Sequence, residues 1–165
     1  KRAETVLGVV NPKRVILAGF AGALDPTLKR GEIVIETGEG ALGNGKIYTS
    51  ERVVGTVEAK AKLFAETGKP LVDMESAFVA KAAAAAGVPL TIIRGVSDTA
   101  EEPLPEFLSK GYDQAKAKTT PLRMAKHMMT HPGDIGKMKA LLASWEPVRQ
   151  AIAEAVVAAV ADGRK

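Results

Sequence analysis

The sequence contains no cysteine, which excludes a disulfide framework and any thiolate-held metal. Histidine is nearly as scarce. His127 and His131 are the two present, and a zinc site built on them would need carboxylates as well, so no metal is expected. No apolar run approaches the ~20 residues that span a bilayer, and the opening "KRAETVLGVV" lacks the apolar core of a secretory signal. The default expectation is therefore a cytoplasmic protein without a membrane span. Charge of one sign is also in short supply. The 23 basic and 19 acidic residues leave a formal net charge of +4, a solvated surface rather than a stripe for nucleic acid.

What the chain does have is apolar material in short, punctuated runs. With 165 residues, 46% of them hydrophobic, it can bury the core of one domain. "RVILAGFAG", residues 14–22, is a β-branched run ending in glycines, the pattern of a buried strand leaving a sheet by a tight loop. "GEIVIE", residues 31–36, reads as a second strand, and the glycine-rich residues 37–46 as a loop. A short extended piece is expected around Arg52 to Val54. The spacing of Val57, Ala61, Phe64 and Ala65 predicts a helix over 57–67, stopped by Gly68 and Pro70. Leu71-Val72 opens a short strand, residues 76–86 form an alanine-rich helix closed by Gly87, and "VPLTIIRGVSD", residues 88–98, is another buried strand. Strand, helix and strand together predict a βαβ unit. From Thr119 onward the chain reads as helical, with segments 134–149, broken at Pro147, and 150–162. Met124, Met128 and Met129 are expected to fill core gaps.

The candidate chemistry lies at "LVDMESAF", residues 71–78, read together with Asp98. In a βαβ unit both strands end at one edge of the sheet, and open α/β sheets bind ligands at the carboxyl ends of their strands. Glu75, Asp98 and the loop Gly19 to Gly22 are therefore expected to converge. An acid at a helix start is equally what free N–H groups and the helix dipole favour, and Asp73 or Ser76 can cap. At a ligand edge, Glu75 could accept hydrogen bonds from vicinal hydroxyls as acids do for ribose. Met74 would offer an apolar surface to a sugar ring, and a buried carboxyl at Asp98 could hand a proton to a leaving group. Together these suggest cleavage of a glycosidic bond.

"VILAGFAGALDP" and "LVDMESAFVAKAAAAAGVPLTIIRGVSD", in this order and spacing, resemble the purine and uridine phosphorylase family, which includes the methylthioadenosine and adenosylhomocysteine nucleosidases. The likeness runs roughly from Arg14 to Ala100. It implies an α/β fold of three layers, a central mixed sheet flanked by helices, and a homo-oligomer acting on a small-molecule nucleoside without cofactor, phosphate being a candidate co-substrate. It implies Asp98 as the acid protonating N7 of a departing purine, Glu75 gripping the ribose, Met74 beside the sugar, Ala21 and Gly22 lining the base pocket, and Ser97 holding Asp98 or the base. Arg94 takes a supporting place. Where phosphate-using relatives carry Arg and Ser, this chain has Leu17 and Phe20. Hydrolysis by water therefore stays open beside phosphorolysis, with Phe20 expected to stack on the base or widen the apolar pocket, and with a backbone nest at Gly19 to Gly22 as a weak anion receiver.

The family's first strand, with its acidic residue for activating water, has no counterpart before Arg14. The expectation is of one domain over 1–165 lacking its N-terminal portion, which leaves a noncatalytic nucleoside-binding subunit as the alternative reading. The helical extension 119–165 resembles that of hopanoid-associated phosphorylases, thought to remove adenine from an adenosylated hopane. In that case its methionines and Arg123, Lys126, Lys137 and Lys139 would dock a lipid-like substrate, where otherwise they form an ordinary amphipathic helix.

Overall fold

Two nine-residue strands, β1 (Val15–Ala23) and β5 (Leu90–Asp98), run parallel at the centre of a five-stranded sheet. Their branched apolar residues suit a sheet covered on both faces. The computed structural model describes residues 2–38, 45–105, 108 and 129–162. The remaining strands are β2 (Ile33–Thr37), β3 (Ile47–Thr49) and β4 (Leu71–Asp73), and the order across the sheet is β2-β5-β1-β4-β3. β2 lies antiparallel to β5, and β3 lies parallel to β4. The sheet is thus mixed, as the family resemblance implied.

Successive strand residues point to opposite faces, which sorts the helices into layers. Leu90, Ile92 and Val96 of β5 cluster with Ala80, Ala82 and Ala83 of α3 (Ser76–Ala85) and with Leu7 of α1 (Arg2–Val10). On the other face, Gly95 meets Val148 and Ile152 of α4 (Gly133–Asp162). A Cβ at Gly95 would lie 2.8 Å from carbons of both side chains, so only glycine admits the helix so close to the sheet. The fourth helix, α2 (Val57–Thr67), begins where Thr56 Oγ1 accepts from the Ala59 amide at 3.1 Å, and it ends at Gly68 with φ 64°. These are the start and stop that its sequence predicts. No helix among the described residues is long and apolar enough to cross a membrane.

The strand-helix-strand expectation for 71–98 is corrected. β1 lies between β4 and β5, parallel to β5 and antiparallel to β4. Leu71 and Val72 pair with Ala23 and Gly22, so β4 already descends alongside β1. α3 continues that descent, and β5 climbs back from Leu90 opposite Val15. The two acids still converge, but through β1: Gly22 is paired with Asp98 on one side and Val72 on the other.

Three further expectations change. The extended piece forms at Ile47–Thr49, where Ile47 is buried beside β4, and not at 52–54. Pro147 does not break the last helix. α4 runs unbroken over 30 residues: Pro147 gives up its N–H bond and crowds the carbonyl of Ala143, but it lies on an exposed side while Val148 and Ile152 anchor the neighbouring turns in the core. Met129 is 85% exposed rather than packed in the core. Met124, Met128, His127, Arg123 and Lys126 lie outside the described residues. The sequence reading also missed α1, whose Leu7 joins the core while Val6, Val9 and Val10 stay exposed.

Candidate active site

Asp98 is the last residue of β5 and is 3% exposed. Its Oδ1 takes the Ser97 hydroxyl at 2.5 Å, with the Ala21 carbonyl at 3.2 Å an alternative acceptor for the same proton. Its Oδ2 faces β1, where a Cβ on Gly22 would come within 3.0 Å of it. Glycine at 22 therefore gives the carboxylate room. The same oxygen takes an N–H from Lys60 Nζ at 2.6 Å. Lys60 has no exposed surface, and its other two bonds go to the carbonyls of Thr99 at 2.7 Å and Glu102 at 2.8 Å. An ammonium has three donors, and each is used.

A second buried pair lies across β1. Arg94 Nη2 donates to Asp73 Oδ2 at 2.6 Å, with the Ser76 hydroxyl oxygen at 3.2 Å and Glu75 Oε2 at 3.6 Å. Asp73 also accepts from the Ser76 amide at 3.1 Å, from the Ser76 hydroxyl, and from Thr49 Oγ1 at 2.8 Å. Thr49 Oγ1 in turn accepts from the Ala77 amide at 2.9 Å. The first amides of α3, which no helical carbonyl can reach, are thus held by Asp73 and Thr49. Glu75 stands at the N-cap position, but its side chain makes no capping bond and is 57% exposed. Gly19 lies over the Arg94 guanidinium, with which a Cβ would collide. Its glycine serves clearance for that side chain.

Between these pairs opens a cavity of about 280 Å³. Phe20, Ala21, Gly22, Met74, Glu75, Ser97 and Asp98, the seven residues singled out from the sequence, all line it. Val53, Val54, Val72, Leu104, Leu108 and Trp145 complete a largely apolar wall, which Arg52 and Asp73 also line. Phe20 is paired with Trp145 of α4, ring centroids 5.4 Å apart at 30°. This is an offset aromatic contact that brings the C-terminal helix to the cavity. Arg30 makes the same connection through polar groups. Its guanidinium donates to the Ser97 carbonyl, to Ser144 Oγ at 3.0 Å and to Glu102 Oε2 at 2.8 Å. The Thr99 amide, donating to the Glu102 carboxylate at 2.9 Å, lowers that group's pKa most. Desolvation opposes the shift in part, and the Arg30 guanidinium adds to it. Among the described residues no cluster of three His, Asp or Glu is placed to hold a metal.

Lys60, Trp145 and Arg30 escaped the sequence reading. A signal existed for Lys60: it is spaced three residues from Val57 and four from Phe64, on the apolar stripe of an otherwise solvated helix. Trp145 and Arg30 carried no such mark, because Trp145 reaches the cavity, and Arg30 its bond to Ser144, only once α4 docks.

A model of the phosphorylase superfamily matches residues 39–128, more than half of the chain. No curated protein matches significantly. Among solved structures, the 5′-methylthioadenosine/S-adenosylhomocysteine nucleosidase of Helicobacter pylori is similar in fold, with a TM-score of 0.55 at 20% identity over 79% of this chain and 73% of that one. The futalosine hydrolase of the same organism gives 0.54 at 20% identity over 79% and 73%. The corresponding nucleosidase of Neisseria meningitidis gives 0.52 at 23% over 61% and 62%.

Proposed function

The chain belongs to the phosphorylase superfamily, and from that premise we propose that it cleaves the N-glycosidic bond of a purine nucleoside. The observation that carries the reading is the placing of Asp98 and Glu75 on one cavity of nucleoside size, the first buried and the second open to it. Asp98 delivers a proton to N7, so that the base departs neutral, a general-acid contribution of about 10²- to 10⁴-fold. Glu75, its carboxylate free of capping duty, accepts from the ribose hydroxyls, and Met74 and the apolar wall pack the sugar and base. Similar structures include enzymes named as nucleosidases and a hydrolase, which supports the same class of reaction here.

Water is the favoured nucleophile. Leu17 and Phe20 offer no side-chain donor to a phosphate, and the Phe20 ring is occupied by Trp145. Arg94, the cation nearest the glycine loop in the sheet register, is engaged by Asp73. Release of adenine from adenosine and 5′-substituted adenosines, assayed with and without phosphate, tests this. Release independent of phosphate is expected. A strict need for phosphate would replace hydrolysis by phosphorolysis, and binding without release would leave a nucleoside-binding subunit. The apolar wall of Leu104, Leu108 and Trp145 suits a large apolar 5′ substituent. Adenosylhopane would seat its nucleoside in the cavity and carry its hydrocarbon outside, and it should then be cleaved faster than adenosine.

A further inference from the structure

Lys60 is the buried residue of a helix whose other side chains are half-buried or exposed, and a lysine is almost never fully buried unless it is paired. It does not line the cavity. Asp98 stands between its ammonium and the space where a base would lie. The other two N–H bonds are fixed on the Thr99 and Glu102 carbonyls. A neutral amine keeps two N–H donors, the number those carbonyls need, so the third proton, the one facing Asp98, is the one this cluster can release.

We propose that Lys60 is a positioning residue that supplies the proton Asp98 delivers, an inference that rests on the reading of Asp98 as the acid. Before substrate binds, the proton is on Lys60 and Asp98 is its carboxylate partner. As the C1′–N9 bond breaks, its electron pair goes to the base, and one proton passes from Lys60 Nζ to Asp98 Oδ2 and on to N7. Lys60 is left as an amine and Asp98 again as a carboxylate. Water adds to C1′ and loses a proton, which recharges Lys60 through Asp98 once the base has left. The other charged groups around this turn are Glu102, bonded to the Thr99 amide and Arg30, and Arg30 itself. Neither donates to Asp98 among the described hydrogen bonds.

The test is adenine release across pH by Lys60→Met and Lys60→Arg, with thermal melts to verify folding and Asp98→Asn alongside. Lys60→Met should lose on the order of 10²-fold in kcat at neutral pH and regain part of it as pH falls, because solvent must then protonate Asp98. Lys60→Arg keeps the charge but cannot surrender its proton, and it should stay slow. A Lys60→Arg chain at wild-type rate, or a Lys60→Met loss unchanged with pH, overturns the proposal while leaving Asp98 as acid. An Asp98→Asn chain as fast as wild type overturns both. Should the Lys60 variants fail to fold, calorimetry of adenine binding to the wild-type chain, in buffers of different ionisation heat, decides. No net proton uptake is expected, and uptake of a proton per site overturns the proposal.

Discussion

Two buried ion pairs flank the end of β1, and they differ in what their cations can give up. Arg94–Asp73 and Lys60–Asp98 have the same 2.6 Å separation, and none of the four side chains is more than 5% exposed. A guanidinium keeps its proton under all conditions, whereas a buried ammonium need not. The partners diverge accordingly. Asp73 is saturated by Ser76, Thr49 and Arg94 and starts a helix. Asp73 and Asp98 both line the cavity, but Asp98 accepts from the Ser97 hydroxyl and Lys60 alone among the described hydrogen bonds. Equal burial thus serves shape on one side of the strand and, under the proposed function, chemistry on the other.

The comparison can be broken from either side. Asp98→Asn should slow base release by roughly 10³-fold and lower stability less than a full truncation would, since the Lys60 ammonium loses its counter-charge but the amide oxygen still accepts from it. Single-turnover assays and a melt measure the two halves. Asp73→Ala should do the reverse, costing about 3–5 kcal/mol of stability by stranding a buried guanidinium, read by denaturant unfolding. An Asp98→Asn chain that melts lower than Asp73→Ala would erase the distinction. Glu75→Gln is milder. Loss of a charge-assisted bond to the ribose should raise KM by roughly tenfold for ribonucleosides and less for 2′-deoxy analogues, with little change in melting.

The smallest effect concerns pH and the turn that follows Asp98. The Glu102 pKa is lowered in the folded chain, first by the Thr99 amide. A carboxylate lowered on folding contributes stability that is complete above its unfolded pKa and is lost as pH falls through the folded value. Acidification below the ordinary carboxylate range should therefore loosen this turn, and Glu102→Gln should remove that acid-side dependence in melting curves. The half-exposed Arg30 pair keeps the effect small.

The sequence made legible whatever was local. β1 and β5 announced themselves by branched apolar runs, α2 by the spacing of Val57, Ala61, Phe64 and Ala65 before Gly68, and the cavity by Met74-Glu75 with Asp98. The direction of β4 was not legible, because three residues carry no sign of which neighbour they will pair with. Pro147 misled because the rule against interior proline weighs a lost bond and a local clash, whereas Val148 and Ile152 add a buried contact that opposes them. Trp145 was hidden for a related reason: it reaches the site from α4, and only the packed fold places it beside Phe20, whereas Lys60 showed its place on the apolar stripe of α2 but not its partner.

Gly95 gives α4 a fulcrum. The helix is a rod of ~45 Å at ~1.5 Å per residue, seated on the sheet where Val148 and Ile152 straddle that glycine. Trp145, one turn toward its N-terminus, is the short arm reaching Phe20. Any residue at 95 larger than glycine would raise the rod at its bearing and draw the indole off the cavity wall, so a hydrogen atom on the far face of the sheet sets how tightly the site is shut.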